Sequence, residues 1–552
     1  MLNNFALPFL KKKPKEGDSI KNDNSFLKDE GSGGFTRRVS NFTVGTLISR
    51  IAGLGRESVF AYLFGAGFAT DAYQVAFRIP NLLRDLFAES ALSAAFVPTF
   101  IDNLTHKERK EVWKFASNVF NTMLLFIGVI TILGIIFAPY VVKVIAYGFV
   151  NTPGKQVLTT ALTRVMFPFL LFVALAAWAM GILNAFGNFF IPAVSPAIFN
   201  VFSIVIPVIA YRFFVTHGQQ PIMGMAYGVT IGAVFQLLIQ VPLLFKRGFQ
   251  YHFYLNLKDK QLHRVFLLWL PTIFGFASAQ INFTVNTFLV TFLAERSITY
   301  LNYAYRIMHL PAGLFGVAIG SVAVAEFSSR VSQNTTASLK ERLRHALRLV
   351  SLLTIPIATL FFVLSGPICR VIYQRGMFSP TDTINTARIL MLYAPGIWAF
   401  AGIRSIAACF YALKDTKTPA IYGIFTDVLG IIINITLMHK VGLIIFPLTT
   451  STMAFLDFAI LFFLCRRKIG PLGGKTILRT TMLSLIFSVI GGLASYLIFQ
   501  FLLIKFAVTR FWGSLGILAI AGCVGLGIFY LLAKLFSLTS NKTKNKLDNI
   551  IS

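Results

Sequence analysis

Five arginines stand where a membrane-embedded chain tolerates them least. The stretch from Ser49 to Ser90, SRIAGLGRESVFAYLFGAGFATDAYQVAFRIPNLLRDLFAES, reads as two apolar helices, yet it carries Arg50, Arg56, Arg78 and Arg84. The run AYRIMHLP adds Arg306. An arginine at the bilayer centre costs at least ~2.5–3.5 kcal/mol on insertion scales, so such residues face an interior cavity and mark a substrate path. The planar guanidinium fork matches phosphate oxygens two at a time. Converging arginines would build a cationic chamber, and the cargo that suits it is an anion, above all a diphosphate.

Helical spacing distributes these groups. Arg50 and Glu57 share a face of the first span, whereas Arg56 lies on another; Gly45, Gly53 and Gly55 thin the same helix. On the second span Arg78 and Asp85 share a face, as do Asp85 and Glu89, and Pro80 interrupts the hydrogen-bond ladder. Between the spans, FGAGFATDA places small residues and Asp71 at the outer mouth. The competing reading is that Glu57, Asp71, Asp85 and Glu89 form internal salt bridges that hold helices together. Buried pairs are a weak source of stability, however, and the arginines outnumber these acids once Arg306 is counted. Arg164 and Arg388 fall near outer ends of spans, where snorkelling accounts for them, and Arg404 lies deeper. Asn282, Asn286, Asp427 and Asn434 are polar residues within spans seven and eleven; a coupling-cation site and interhelical hydrogen bonding both fit them.

The elements that position these residues are membrane helices. The chain has 552 residues, 56% of them hydrophobic, and a mean hydropathy of +0.72, which excludes a soluble globular protein. Apolar runs give roughly fourteen spans, so the fold class is an all-α polytopic membrane protein. The net charge of +29 follows membrane topology. The N-terminal tail and the loops after even-numbered spans hold roughly 33 of the 50 lysines and arginines, and loops after odd-numbered spans roughly 9. That bias places both termini of a multi-pass membrane protein in the cytoplasm. A nucleic-acid surface would need its basic residues on one exposed face. Residues 1–39 read as a disordered, charged cytoplasmic tail without the apolar core of a signal peptide. The four cysteines show no metal or disulfide spacing.

The chain is also built twice. AFRIPNLLRDLF at 76–87 matches AYRIMHLPAGLF at 304–315, APYVVKVIAYGF at 138–149 matches GPICRVIYQRGMF at 366–378, and NAFGNFFIPAVSPAIFN at 184–200 matches YALKDTKTPAIYGIFTD at 411–427. An even number of spans per repeat gives both halves the same orientation, as in two-lobed alternating-access transporters. The expected architecture is a six-helix lobe at 40–250, a second lobe starting at 251–440 and completed by span twelve at 441–470, and two extra helices at 471–537 before a cytoplasmic tail at 538–552. The two lobes would enclose a central cavity.

SRIAGLGRE, FGAGFATDAY, FRIPNLLRDLFAESALSAAFVP, YAYRIMHLPAGLFGVAIG and DTKTP, in this order, resemble the MurJ (MviN) family of lipid II flippases, within the multidrug/oligosaccharidyl-lipid/polysaccharide exporter superfamily. The resemblance implies a fourteen-helix, two-lobe protein of the bacterial cytoplasmic membrane that flips the undecaprenyl-diphosphate-linked peptidoglycan precursor to the outer leaflet. By position it implies that Arg50, Arg56, Arg84 and Arg306 are cavity arginines and Asp71 a required acid. Ser49, Asn81 and Glu89 also match motif positions, and spans thirteen and fourteen would form a groove for the lipid tail. The sequence departs from the family at His309 and Tyr305, where acids are common, and near Ala325, where a proline is missing, so a salt-bridge gate on that helix is not expected. The partners implied are lipid II, membrane lipids and the cell wall synthesis machinery, with the protein a monomer. No cofactor or metal is implied beyond a coupling cation, Na+ or H+, or the membrane potential. The alternatives are a flippase for another polyprenyl-diphosphate oligosaccharide and a cation-coupled exporter. An enzyme acting on the same lipid would need an Asp-rich metal motif, which the sequence lacks.

Overall fold

The computed structural model describes residues 32–87, 90–311, 327, 336–506 and 511–536, and among them there is no strand. The first half runs α1 (Ser32–Phe64), α2 (Phe68–Phe87), α3 (Ser90–His106), α4 (Arg109–Ile145), α5 (Lys155–Met166), α6 (Pro168–Ala185), α7 (Phe190–Thr216), α8 (Met223–Leu238) and α9 (Val241–Lys246). The second begins with α10 (Lys260–Val290) and α11 (297–311), followed by α12 (Thr336–Val363), α13 (Ser365–Tyr373), α14 (Pro380–Tyr393) and α15 (Gly396–Ala412). It closes with α16 (Lys417–Val441), α17 (Ile445–Ile469), α18 (Gly474–Phe506) and α19 (Phe511–Leu535). Among the described residues, nine helical stretches are long and apolar enough to cross a membrane. Helices α1 and α2 are not among the nine, because the charges they carry depress their hydropathy.

The packing is that of a chain solvated by lipid. Leu124, Leu125, Ile132, Ile136 and Phe137 of α4 are exposed, while Val112, Trp113, Ala116 and Val119 of the same helix are buried. Apolar contrast alone cannot drive such helices together, so small residues allow close van der Waals approach. Gly224, Gly228 and Gly232, one turn apart on α8, lie against Pro207, Ser203 and Phe199 of α7. A Cβ on Gly232 would stand 2.7 Å from the Phe199 carbonyl oxygen. Gly491 and Gly525 join α18 to α19 in the same way, and Gly492 seats α18 against Thr359 and Val363 of α12.

The repeat is visible as kinked helix pairs. The expected span four is α5 followed by α6, broken at Phe167–Pro168, and span ten is α14 followed by α15, broken at Ala394–Pro395. Each break lies where proline has no N–H to continue the ladder. Pro80, by contrast, lies inside a continuous α2. Helix α1 starts at Ser32, inside the segment expected to be an unstructured tail, because extending an existing helix costs little compared with nucleating one.

The turn between α15 and α16 is stapled. Asp415 accepts hydrogen bonds from the Thr418 backbone N–H (3.0 Å), the Thr418 hydroxyl (2.8 Å) and the Lys468 ammonium (2.6 Å). The Lys468 bond, with those from Thr418, lowers the Asp415 carboxyl to about 2. A depressed pKa contributes stability above the ordinary value of 3.8, lost as the pH falls through the folded value. Asp415→Asn is therefore expected to lower the melting temperature at neutral pH. The gap from the parent protein should close as the pH falls from 3.8 toward about 2; a gap that does not change over this range would contradict the assignment.

Candidate functional site

Three of the expected side chains meet directly. Glu57 on α1 lies between two arginines: Arg56 Nη2 is 2.7 Å from its Oε1, and Arg306 Nε on α11 is 3.2 Å from the same atom. Arg56 and Glu57 are buried, whereas the Arg306 side chain stays 34% exposed. The Arg56 guanidinium also lies 5.6 Å from the Phe199 ring centre. Face-sharing along α1 paired Glu57 with Arg50. The fold pairs it with its chain neighbour and with a helix roughly 250 residues away in the sequence, since long side chains reach around a helix. With one carboxylate serving both arginines, this group keeps a positive charge.

Arg50 is half-buried and lies within coulombic range of His309 on α11 and Arg404 on α15. His309 stands one helical turn from Arg306, its ring against Tyr305 at 4.0 Å. Arg404, which the sequence left open, is thus a cation of the second half facing Arg50. Arg84 on α2 bonds its neighbour Asp85 through Nη2 (2.7 Å) and Nε (3.1 Å), with 27% of its side chain exposed. Asn81 is half-buried, three residues before Arg84 on the same face of α2. Arg78 points elsewhere: Nη2 donates to Gln280 Oε1 (2.8 Å) and the guanidinium stacks 3.8 Å from Phe283 of α10. It borders an apolar cavity of about 360 Å³ between α2, α4 and α10 and lies within coulombic range of Asp85 and Arg84. Ser49 contributes its carbonyl to Asn200 of α7 at 3.3 Å, a helix-packing contact. Glu89 and Ala325 lie outside the described residues.

Asp71 is not with the arginines. It is buried at the start of α2 and binds the opposite half of the chain. Its Oδ2 is 3.1 Å from Lys155 Nζ and 2.8 Å from the Arg296 backbone N, and its Oδ1 accepts from the Thr299 N–H (3.0 Å) and hydroxyl (2.7 Å). Asp71 therefore caps α11 while neutralising a lysine whose side chain is only 3% exposed. Arg296 has φ 77, a conformation that aims its N–H at the carboxylate and costs a non-glycine residue about 1–2 kcal/mol. The Gly65 turn just before α2 packs against the Met377 backbone, and the Met377 N–H donates to the Tyr62 carbonyl (3.0 Å), so the two halves are closed together at this end.

The second half repeats the device with its polarity exchanged. Asp382, 227 residues after Lys155 and likewise in the first turn of its helix, accepts from the Tyr300 hydroxyl (2.6 Å) and Arg296 Nη1 (3.1 Å), and completes a capping box with Ser379. Lys155, Arg296 and Asp382 were missed in the sequence, where they read as loop charges. Carrying the repeat offset through the fourth span of each half would have aligned Lys155 with Asp382.

The four polar residues of spans seven and eleven come together. Asn282 Nδ2 donates to Asp427 Oδ1 (2.6 Å), Asn286 Nδ2 to Asn282 Oδ1 (2.6 Å), and Asn434 Nδ2 to Asn286 Oδ1 (2.8 Å). Asp457 of α17 adds a second carboxylate within coulombic range of Asp427, with a buried Oδ1 that has no hydrogen-bond partner among the described residues. An array of amide and carboxylate oxygens suits a hard cation.

The family model described as "Lipid II flippase MurJ" matches residues 60–514. A probable lipid II flippase MurJ of Vibrio cholerae is 32% identical over 502 residues, 89% of this chain and 94% of that protein. The lipid II flippase MurJ of Burkholderia cenocepacia is 32% identical over 437 residues, 78% and 83% respectively. Among solved structures, lipid II flippase MurJ in an inward closed conformation superposes with a TM-score of 0.73 at 29% identity, covering 90% of this chain and 98% of that one. An inward-facing MATE multidrug transporter shares the fold alone, with a TM-score of 0.65 at 13% identity and 79% of this chain covered. The chain belongs to the lipid II flippase MurJ family.

Proposed function

We propose that this protein is a transporter that flips lipid II across the bacterial cytoplasmic membrane by alternating access, supplying precursor for peptidoglycan. The observation that carries the reading is the Arg56–Glu57–Arg306 group: two arginines from different halves share one carboxylate at membrane depth. The diphosphate binds there and at Arg50 and Arg84, exchanging the carboxylate's bonds for its own. The sugar-peptide head fills the space between a first lobe, α1 to α9, and a second, α10 to α17. The polyprenyl tail stays in lipid along α18 and α19. Both termini lie in the cytoplasm and the chain makes fourteen crossings, which places the Asp71 latch at the outer face, closed. Proteoliposomes holding the purified protein and fluorescent lipid II test the reading. Movement of lipid II to the other leaflet is expected; none, or equal movement of an unrelated polyprenyl-diphosphate sugar, would overturn it.

The polar ladder with Asp427 is the proposed coupling-cation site, with Asn282, Asn286, Asn434 and Asp457 as the oxygens that surround the ion. Asp427→Asn removes the carboxylate that compensates the cation's desolvation. It is expected to abolish any Na+ dependence of transport while leaving lipid II binding in place. A variant with unchanged Na+ dependence excludes the site.

A further inference from the structure

We propose that the extended segment between α9 and α10 is a lipid-contact strap, seated on the anionic headgroup layer of the leaflet beside it. That this is the cytoplasmic leaflet rests on the orientation proposed above; the contact itself does not.

Residues 249–256 form no helix. They are held extended by side chains of α4 that take the place of a neighbouring strand. Ser117 Oγ accepts from the His252 N–H (3.0 Å), Asn121 Nδ2 donates to the Tyr254 carbonyl (3.0 Å), and Asn118 both accepts from the Asn256 N–H (2.8 Å) and donates to its carbonyl (3.0 Å). Side chains alternate along an extended chain. Here His252, Tyr254 and Asn256 are partly buried, while Phe253, Leu255 and Leu257 are 94%, 48% and 60% exposed; Tyr251 is half-exposed and donates its hydroxyl to Asn121 Oδ1 (2.8 Å). A fixed row of large apolar side chains facing outward marks a contact surface.

Position and charge identify the occupant. Helix α4 has 37 residues, about 55 Å at 1.5 Å each, whereas the hydrocarbon layer is about 30 Å thick. Its exposed apolar side chains begin at Leu124, and Arg109, Lys110 and Lys114 precede the strap's anchors. The strap therefore bonds to α4 between the charged turn and the apolar run, which is the headgroup depth. The N–H groups of Phe253 and Leu255 have no partner among the described residues, which suits a hydrated interface and excludes hydrocarbon depth. Lys246, Arg247, Lys258 and Lys260 flank the row, while Arg264 is paired with Asp102 of α3 at 2.9 Å. The one acid among them, Asp259, is occupied in capping α10 through the Gln261 N–H at 2.7 Å. Aromatic and aliphatic side chains ringed by lysine and arginine make up an interfacial anchor for anionic lipid. The strap joins the two halves of the repeat.

A nitroxide at Phe253→Cys, and separately at Leu257→Cys, in full-length Cys523→Ser protein reports the depth; the remaining cysteines are buried. In phosphatidylglycerol vesicles the ratio of oxygen to aqueous nickel accessibility at both positions is expected to stand several-fold above that of an exposed label at Gln219. It should fall toward the aqueous value with Lys258→Glu and Lys260→Glu. An aqueous ratio, or shielding from both reagents as a protein partner would give, overturns the proposal. An equal ratio in phosphatidylcholine overturns its electrostatic part.

Discussion

Arg306→Ala is expected to weaken lipid II binding about 10- to 100-fold and to abolish rescue of cells depleted of their own flippase. Hydrogen bonds to charged groups contribute about 1.5–3 kcal/mol each, and each 1.4 kcal/mol is tenfold in affinity. Arg306 is the arginine of α11 that shares Glu57 with Arg56, and a third of its side chain faces open space, so it is free to take a phosphate. Without it, Glu57 is matched by Arg56 alone and the net positive charge of the group disappears. Arg306→Lys should recover only part of the loss, because an ammonium lacks the fork that binds two oxygens. Equilibrium binding in nanodiscs checks both variants, and an Arg306→Ala protein with wild-type affinity would remove this residue from the site.

Asp71→Ala is expected to lose stability and to open the closed end at once. Breaking a buried ion pair costs about 3–5 kcal/mol, because the surviving charge stays desolvated. The survivor here is Lys155, boxed by Phe149 at 4.3 Å and Phe68 at 5.7 Å. The same substitution uncaps α11. A membrane-impermeant maleimide should therefore label a cysteine at Thr70 several-fold faster in the Asp71→Ala background. The double variant Asp71→Ala/Lys155→Met separates the effects: it should regain most of the melting temperature yet stay readily labelled. Lost stability without faster labelling would reduce Asp71 to a structural pair.

The legible part of this molecule was the part written in local chemistry. Apolar runs gave the helices, whereas the break read at Pro80 falls inside a continuous α2, and the breaks at Pro168 and Pro395 emerged only in the structure. Spacing put Asn282 with Asn286 on one span and Asp427 with Asn434 on another, and the packing of α10 against α16 joined the two pairs. Pairing was not legible. Arg50 and Glu57 share a helical face, as do Arg78 and Asp85; in the fold Glu57 bonds Arg56 and Arg306, Asp85 bonds Arg84, and Arg78 bonds Gln280 while staying within coulombic range of Asp85. Spacing along one helix fixes neighbours on that helix, whereas a charged side chain several bonds long takes its partner from whichever helix packs beside it.

By itself the sequence determined that this is a helical membrane protein, duplicated, with arginines set within its apolar runs. Those conclusions rest on hydropathy and the cost of burying charge, which act residue by residue. Only the tertiary structure decided what each charge does. It joined Arg306 and Arg56 through Glu57, brought Arg404 within coulombic range of Arg50, and fastened Asp71, expected at the outer mouth, to α11 and Lys155. The energy of a buried charge depends on its partners within a few ångströms, and two decisive partners here, Arg306 for Glu57 and Thr299 for Asp71, lie more than two hundred residues away in the sequence.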